Sequence, residues 1–278
     1  MSSLIDLNDI SYGYRSGQKV LDRVNLSLNA DERLFITGPN GAGKSTLLRI
    51  LVGLIKPHSG RVSAFGKVCV SEADFHELRC RVGFIVQDPD DQLFCPTVVE
   101  DIAFGPLNLG ASRDEALAIV DEVLDQLHLR HLRDRITHEL SGGEKRLVSV
   151  AAVLAMRPDV LLLDEPTNAL DEENLERLED ILLGLPQAMI LISHDPHFRR
   201  KLATRTLELR GGILSTRPAK KCSAAERAKA EVMEANPDAN APDNADASAS
   251  ASVKSSANPG AVPKPNTRPD ISPVAGQA

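Results

Sequence analysis

Residues 38–46 read Gly38-Pro39-Asn40-Gly41-Ala42-Gly43-Lys44-Ser45-Thr46 and match the pattern G-x-x-x-x-G-K-[ST] of a phosphate-binding loop. The apolar run 34–37 before it is typical of a buried strand, and the run 46–51 after it is typical of a helix. A glycine-rich turn that binds nothing would need no such flanks. The stretch, called the phosphate loop below, therefore predicts an α/β nucleotide-binding fold.

The composition of the phosphate loop suits the chemistry of bound phosphates. Gly38, Gly41 and Gly43 carry no Cβ, so their backbone N–H groups can approach phosphate oxygens closely. Lys44 can reach the β- and γ-phosphates, and the Ser45 hydroxyl can ligate Mg²⁺. The other members predicted to line the nucleotide are Asn40, Ala42 and Thr46. The helix that follows directs the positive end of its dipole at the same anion.

Two more apolar runs end in residues that suit phosphate hydrolysis. Residues 160–165 end in Asp164 and Glu165, and residues 190–194 end in His194. Ligands of α/β sheets bind at the carboxyl ends of strands. Asp164 is expected to hold Mg²⁺, directly or through water, and Glu165 to accept a proton from the attacking water. His194 is expected to contact the γ-phosphate and to orient the water or Glu165. Taken singly, each of these residues also fits an ordinary solvated loop.

A second candidate anion site lies at residues 140–146, just before an apolar helix. Ser141 is predicted to cap this helix, and Gly142 and Gly143 leave backbone donors open at its N-terminus. These three residues are called the signature turn below. A well-capped helix that binds nothing is the alternative.

Composition excludes several classes of protein. The net charge of −7 over 278 residues argues against a general nucleic-acid binder, which usually carries a basic surface. No apolar stretch is long enough to span a bilayer, and the first residues lack the pattern of a signal peptide, so a soluble cytoplasmic protein is expected. Residues 215–278 contain no Leu, Phe or Tyr and are predicted to be a low-complexity, disordered tail.

Hydrophobic periodicity predicts alternating strands and helices in residues 1–214. The predicted strands are 4–10, 24–28, 33–37, 82–87, 159–164, 188–193 and 205–210. The predicted helices are 44–53, 113–127, 143–156, 172–184 and 195–203. A mostly helical pattern at about 88–158 indicates a helical subdomain inserted into an α/β core. The pattern shows no internal repeat, so one nucleotide-binding unit is expected.

Together, the phosphate loop, the signature turn, the strand at 160–165 and His194 resemble the motif set of ATP-binding-cassette (ABC) ATPases over residues 4–214. The resemblance implies an ABC-type P-loop nucleotide-binding domain with a mixed β core that hydrolyses ATP with Mg²⁺. It also implies that one ATP lies between the phosphate loop of one subunit and the signature turn of another. The working unit would then be a homodimer or a dimer with a paralogous ATPase.

The resemblance assigns further residues. Gln87 matches the family glutamine that contacts Mg²⁺ and water, and Asp171 matches an aspartate that crosses the dimer interface. Tyr14 matches the aromatic residue that stacks on adenine, with Tyr12 as the alternative. One position departs from the family pattern, because Glu144 stands where the signature motif usually has Gln.

Residues 88–108 are similar to the ATPase subunits of energy-coupling-factor importers, in particular the cobalt and nickel group. That similarity implies a position on the cytoplasmic face of the membrane, with a T-type coupling subunit and a substrate-binding subunit as membrane partners. Arg residues on the coupling helices of the T subunit are expected to pair with Asp90 and Asp91. An importer for a vitamin or other small nutrient is the alternative, and a soluble ABC ATPase without a transport role is less favoured.

Overall fold

A computed structural model describes residues 3–14, 17–168 and 170–216 of the chain. Its strands form a six-stranded sheet and a four-stranded sheet. The strands are β1 (Ile5–Gly13), β2 (Lys19–Leu28), β3 (Arg33–Thr37), β4 (Ser59–Ala64), β5 (Lys67–Cys69), β6 (Val82–Ile85), β7 (Val160–Asp164), β8 (Ala188–Ile192), β9 (Arg205–Arg210) and β10 (Ile213–Thr216). The helices are α1 (Lys44–Leu51), α2 (Glu72–Arg81), α3 (Val98–Asn108), α4 (Arg113–Gln126), α5 (Gly142–Leu154), α6 (Glu172–Gly184) and α7 (Pro196–Leu202).

The larger sheet has the strand order β10-β9-β3-β8-β7-β6. All neighbours from β9 to β6 are parallel, and β10 is antiparallel to β9, so the sheet is mixed. The smaller sheet is antiparallel, with the order β2-β1-β4-β5. The mixed β core expected from the sequence is therefore present.

The central strands of the larger sheet are apolar throughout because both of their faces are covered. Every residue of β7 and β8 is buried. Leu161 and Leu163 pack into a core that includes α3, α4 and α5, whereas Leu162 packs into a second core with α1 and the smaller sheet. Successive side chains of each strand point to opposite faces of the sheet and pack into different cores. Both sets must be apolar, which explains the continuous apolar runs in the sequence.

Helices α3, α4 and α5 pack against one another over the first core. A buried carboxylate holds the segment that leads into them. Asp101 Oδ1 accepts hydrogen bonds from the backbone N–H groups of Phe94 and Cys95, each at 2.9 Å, and its Oδ2 accepts one from the Thr137 hydroxyl at 2.9 Å. This network connects the chain just after β6 with the chain just before α5.

Most predicted elements agree with the structure to within a few residues. The sequence interpretation missed β4, β5, α2, α3 and β10, and it began the second strand at residue 24, whereas β2 begins at Lys19. The boundary expected after residue 214 falls inside β10, which continues to Thr216. The rest of the predicted tail lies outside the described residues.

The Asp101 network predicts a stability effect. Replacement of Asp101 by Ala leaves two backbone donors and a hydroxyl without their partner in a buried site, so the free energy of unfolding should fall by about 1–3 kcal/mol. Thermal unfolding followed by circular dichroism measures this loss as a lower Tm. Asp114→Ala, at an exposed carboxylate in the first turn of α4, is the matched control and should shift Tm far less. Equal shifts for the two variants would contradict the role given to the network.

Candidate active site

The phosphate loop leaves the carboxyl end of β3 and leads directly into α1. Two of its glycines are required by close contacts. Gly38 has a φ of 145°, and a Cβ there would lie 2.1 Å from the carbonyl oxygen of Leu209. Gly43 has a φ of 99°, and its Cβ would lie 2.6 Å from Cγ1 of Val20. Any other residue at these positions would force the loop away from β9 and β2.

Lys44 lies under the loop, with only 7% of its surface exposed. Its Nζ donates hydrogen bonds to the carbonyl oxygens of Gly38 and Pro39 at 3.1 and 3.2 Å, and it lies 3.2 Å from His194 Nε2. Burial lowers the pKa of Lys44, and the negative charges of Glu165 and then Asp164 oppose that shift. The ammonium group therefore lies where phosphate oxygens could replace its weak carbonyl partners.

Strand β7 ends at Asp164, which is 3% exposed. Its Oδ1 is buried without a hydrogen-bond partner among the described residues. Burial raises the pKa of Asp164, and a hydrogen bond from Ser45 is the largest opposing effect. An unpartnered buried carboxylate oxygen is costly, and a cation next to it would remove that cost. The arrangement fits Mg²⁺, with Ser45 and Asp164 as neighbouring oxygen donors.

Glu165 follows at once, and its backbone adopts a φ of 48°. This left-handed conformation is unfavourable for a residue with a Cβ, and such strain is concentrated at functional sites. The conformation brings Oε1 to 3.1 Å from His194 Nε2, and Oε2 accepts the backbone N–H of His194 at 3.2 Å. The ends of β7 and β8 thus place a carboxylate and an imidazole in direct contact.

These groups line one cavity of about 780 Å³. The predicted residues in its wall are Tyr14, Asn40, Gly41, Ala42, Gly43, Lys44, Ser45, Thr46, Gln87, Glu165 and His194. Tyr14 lies in this wall with its hydroxyl 3.1 Å from Thr46 Oγ1, whereas Tyr12 packs beside His58 and is not part of the lining. Gly38 and Asp164 border adjoining cavities.

The sequence interpretation missed several residues of the cavity wall: Gln18, Lys19, Val20, Asn168, Gly211 and Gly212. None belongs to a catalytic motif. The pair Gly211-Gly212 forms the turn between β9 and β10, and the backbone N–H of Asp22 donates to the carbonyl of Gly212 at 2.8 Å. A Gly-Gly pair signals a turn, but only the pairing of distant strands reveals that this turn reaches the cavity.

Besides Gly38 and Asp164, four predicted residues do not line this cavity. Ser141 caps α5, and Gly142 and Gly143 form the first turn of that helix. Asp171 caps α6, with its Oδ1 accepting the backbone N–H of Asn174 at 2.8 Å. These four residues therefore do not line the cavity of the phosphate loop, although Gly142 borders the adjoining cavity together with Gln87 and Asp164.

The backbone at Gln87 is fixed by hydrogen bonds from Arg146 of α5. Arg146 is 2% exposed, and its guanidinium donates to the carbonyl oxygens of Val86, at 2.6 Å, and Gln87. The preceding residue, Lys145, forms an ion pair with Asp90 at 2.6 Å. Asp90, which is expected to pair with an arginine of a membrane partner, thus already has an ion-pair partner in its own chain.

Residues 21–168, more than half of the chain, match the ABC transporter family. The chain belongs to the ABC transporter family. Over 214 residues it is 56% identical to a putative ABC transporter ATP-binding protein of Brucella suis, with 77% of this chain and 89% of the relative covered. Over 232 residues it is 45% identical to the cobalt import ATP-binding protein CbiO of Rhodobacter capsulatus, with 82% and 83% covered.

Solved ABC cassettes share the fold. The structure of CbiO1 from Clostridium perfringens, described as part of the ABC transporter complex CbiONQ, matches with a TM-score of 0.73 and 31% identity. The match covers 85% of this chain and 97% of CbiO1. A bacterial ABC transporter cassette solved as a dimer matches with a TM-score of 0.69 and 27% identity, covering 76% and 96%. The expected fold and the assignment as an ABC ATPase are confirmed.

The departure of this ABC ATPase at Glu144 has a structural explanation. The Glu144 carboxylate accepts the backbone N–H of Ser141 at 2.8 Å, and the backbone N–H of Glu144 donates to Ser141 Oγ at 3.2 Å. This reciprocal capping box accepts either Glu or Gln at that position. The hydrogen bond from Ser141 also lowers the pKa of Glu144.

None of the helices in the described part of the chain is long and apolar enough to cross a bilayer.

Replacement of Lys44 by Ala should weaken ATP binding. The change removes a charge-assisted contact worth about 1.5–3 kcal/mol, which corresponds to roughly a tenfold to hundredfold higher Kd. Titration with a fluorescent ATP analogue measures the affinity, and circular dichroism tests the fold. Lys67→Ala, on β5 outside the cavity, is the control and should bind as the unmodified chain does. An unchanged affinity in a folded Lys44→Ala protein would disprove the role of Lys44.

Proposed function

We propose that this chain is the ATP-hydrolysing subunit of an energy-coupling-factor importer for nickel or cobalt ions. The observation that carries the proposal is the contact between Glu165 and His194 beside Lys44, at the wall of a cavity large enough for a nucleotide. The similarity to a cobalt import ATP-binding protein and to a CbiO1 structure supports the choice of cargo.

In this proposal, ATP is the substrate and occupies the 780 Å³ cavity. Tyr14 stacks on the adenine. The backbone N–H groups of the phosphate loop surround the β- and γ-phosphates, and Lys44 exchanges its carbonyl partners for phosphate oxygens. This exchange replaces neutral acceptors by charged ones, which form stronger hydrogen bonds with an ammonium group.

Ser45, Gln87 and Asp164 would hold Mg²⁺ through their oxygen atoms, and the unpartnered Oδ1 of Asp164 fits that role. When bound, Mg²⁺ would neutralise part of the charge on the phosphates. Because Arg146 donates to the Gln87 carbonyl, the backbone at Gln87 is held in place, and its side-chain oxygen would remain available to Mg²⁺.

Hydrolysis then needs a group that accepts a proton from water. Water attacks the γ-phosphorus, its proton passes to a carboxylate oxygen of Glu165, and the bond to the ADP oxygen breaks. His194 positions that carboxylate, because its ring and its backbone N–H contact the two oxygens of Glu165. Gln87 lies in the same cavity wall, from which it can orient the water.

The signature turn and Asp171 complete the site from a second subunit. Ser141, Gly142, Gly143 and Asp171 do not line the cavity of the phosphate loop in their own chain, which supports an arrangement in which one chain supplies only half of each ATP site. The helix N-terminus at Ser141, Gly142 and Gly143 provides donors and dipole for the γ-phosphate of the partner. The dimer is formed with a second copy or with a paralogous ATPase.

The membrane partners are a T-type coupling subunit and a substrate-binding subunit, so the ATPase lies at the cytoplasmic face of the membrane. The docking groove is bordered by Asp91, which is exposed and unpaired among the described residues, and by Asp90 in its ion pair with Lys145. The exposed rings of Phe94 and Phe104 lie near this segment in the chain and contact each other edge to face at 4.7 Å. A coupling helix with both basic and apolar residues would match these groups.

The catalytic assignment predicts the behaviour of Glu165→Gln. The amide keeps the shape of the side chain but cannot accept the proton, so ATP should still bind while turnover in the assembled transporter falls by roughly 10²–10⁴-fold. Release of phosphate, measured together with ATP affinity, separates the two effects. Near-normal turnover by this variant would show that another group is the base.

The docking assignment predicts that Asp91→Asn reduces nickel or cobalt uptake in cells that carry the membrane subunits, while ATP binding is unchanged. The loss should be partial if the carboxylate stays exposed, because surface ion pairs contribute about 0–1 kcal/mol. Asp114→Asn, on α4 outside the groove, serves as the control at matched expression. Full uptake by Asp91→Asn would make this carboxylate an ordinary part of the turn. An absence of metal uptake with the unmodified chain would favour a vitamin or another small nutrient as the cargo.

A further inference from the structure

Asn174 lies between Asp171 and the signature turn. In the proposed dimer, both of these face the ATP bound by the partner subunit. Asn174 belongs to the first turn of α6, three residues after Asp171, and its side chain is half-buried against the first turn of α5. No motif identifies this residue. Its contacts reach both Asp171 and the signature turn.

Toward Asp171, Asn174 forms two different hydrogen bonds. Its backbone N–H donates to Asp171 Oδ1 at 2.8 Å, which is the cap of α6. Its side-chain Nδ2 donates to Asp171 Oδ2 at 3.0 Å. The backbone bond is independent of the side chain at 174. The side-chain bond therefore does something beyond capping the helix, because it fixes the orientation of the Asp171 carboxylate.

Toward the signature turn, Asn174 packs closely on Gly143. A Cβ at Gly143 would lie 2.3 Å from Asn174 Nδ2, 2.6 Å from its Cγ and 3.1 Å from its Cβ. A Cβ at the neighbouring Gly142 would meet nothing within 4 Å. Gly143 has ordinary helical backbone, so its need for glycine comes from the amide of Asn174 and not from a left-handed conformation.

We propose that Asn174 is a positioning residue that joins Asp171 to the signature turn of the same subunit. The amide fits between them, so the two parts approach the ATP of the partner as one rigid unit with a fixed spacing. The inference rests on the proposed function, because it requires ATP sites that are shared between two subunits. It adds a residue that acts through its contacts with Asp171 and Gly143.

The test uses the assembled transporter, purified through this chain, with Asn174→Ala as the main variant. The cap of α6 remains in this variant because the backbone N–H is unchanged, so Tm should change little. ATP affinity of the isolated chain should also be unchanged, because the phosphate loop is not altered. We expect kcat for ATP hydrolysis to fall at least tenfold, since closure of the dimer loses its fixed geometry. Glu176→Ala, on the next turn of α6, is the control and should keep full turnover.

A second variant identifies the contact itself. Asn174→Asp keeps the volume that packs on Gly143 but replaces the Nδ2 donor to Asp171 by a carboxylate oxygen. Its turnover should therefore fall at least as far as that of Asn174→Ala. Full turnover by Asn174→Asp would overturn the inference, as would an unaltered kcat for Asn174→Ala.

Failure of this inference can be separated from failure of the proposed function. Glu165→Gln is measured in the same preparation. If Glu165→Gln loses turnover while Asn174→Ala keeps it, the proposed function stands and the role of Asn174 is refuted. If Glu165→Gln keeps full turnover, the catalytic assignment fails, and with it the basis for a shared site.

Discussion

The parallel register of β3, β8 and β7 is the constraint on which the site depends. Ile36 of β3 lies opposite Ile192 of β8, and Ile192 lies opposite Asp164 of β7. Three strands thus end side by side, and whatever follows each of them meets at one edge of the sheet. The phosphate loop, the two carboxylates and His194 come from distant parts of the chain, but this register brings them within hydrogen-bond distance. A slip of one residue in any of the three would direct these side chains into the core.

The second constraint is electrostatic. Lys44, Asp164 and Glu165 are all nearly buried, and charged groups are costly to bury unless they are paired. Within the chain they are paired only in part: Lys44 contacts carbonyl oxygens and an imidazole, and Asp164 Oδ1 has no partner among the described residues. The folded chain therefore holds charges whose best partners are phosphate oxygens and a divalent cation. Binding of the nucleotide with its cation would therefore offset the free-energy cost of burying these incompletely paired charges.

The sequence predicts the parts of this molecule that have strong local patterns. β3, β7 and β8 are predicted to within a residue because strands covered on both faces are apolar throughout, and the phosphate loop is defined by its glycines. The helix α3 was missed because Gly105 and Pro106 interrupt its pattern, although Pro106 packs in the interior. β4 and β5 have only six and three residues, too few for a clear periodic pattern. Gln18, Lys19 and Gly211 reach the cavity only through pairing of strands far apart in sequence, which no local pattern encodes. The site roles of the predicted residues remain predictions.

Helix α5 contributes to both ATP sites of the proposed dimer. Ser141 and Gly142 are exposed at its N-terminus, while Arg146, one turn later, donates hydrogen bonds to the carbonyl oxygens of Val86 and Gln87. In the proposed dimer, the N-terminus of α5 contributes to the ATP site of the partner. Arg146 of the same helix holds Gln87 in the ATP site of its own subunit. A small rotation of α5 would therefore alter both ATP sites at once. The two ATP sites would then be coupled through the first turns of α5 in each subunit. A membrane partner that binds the segment after Gln87 would affect both ATP sites through one contact.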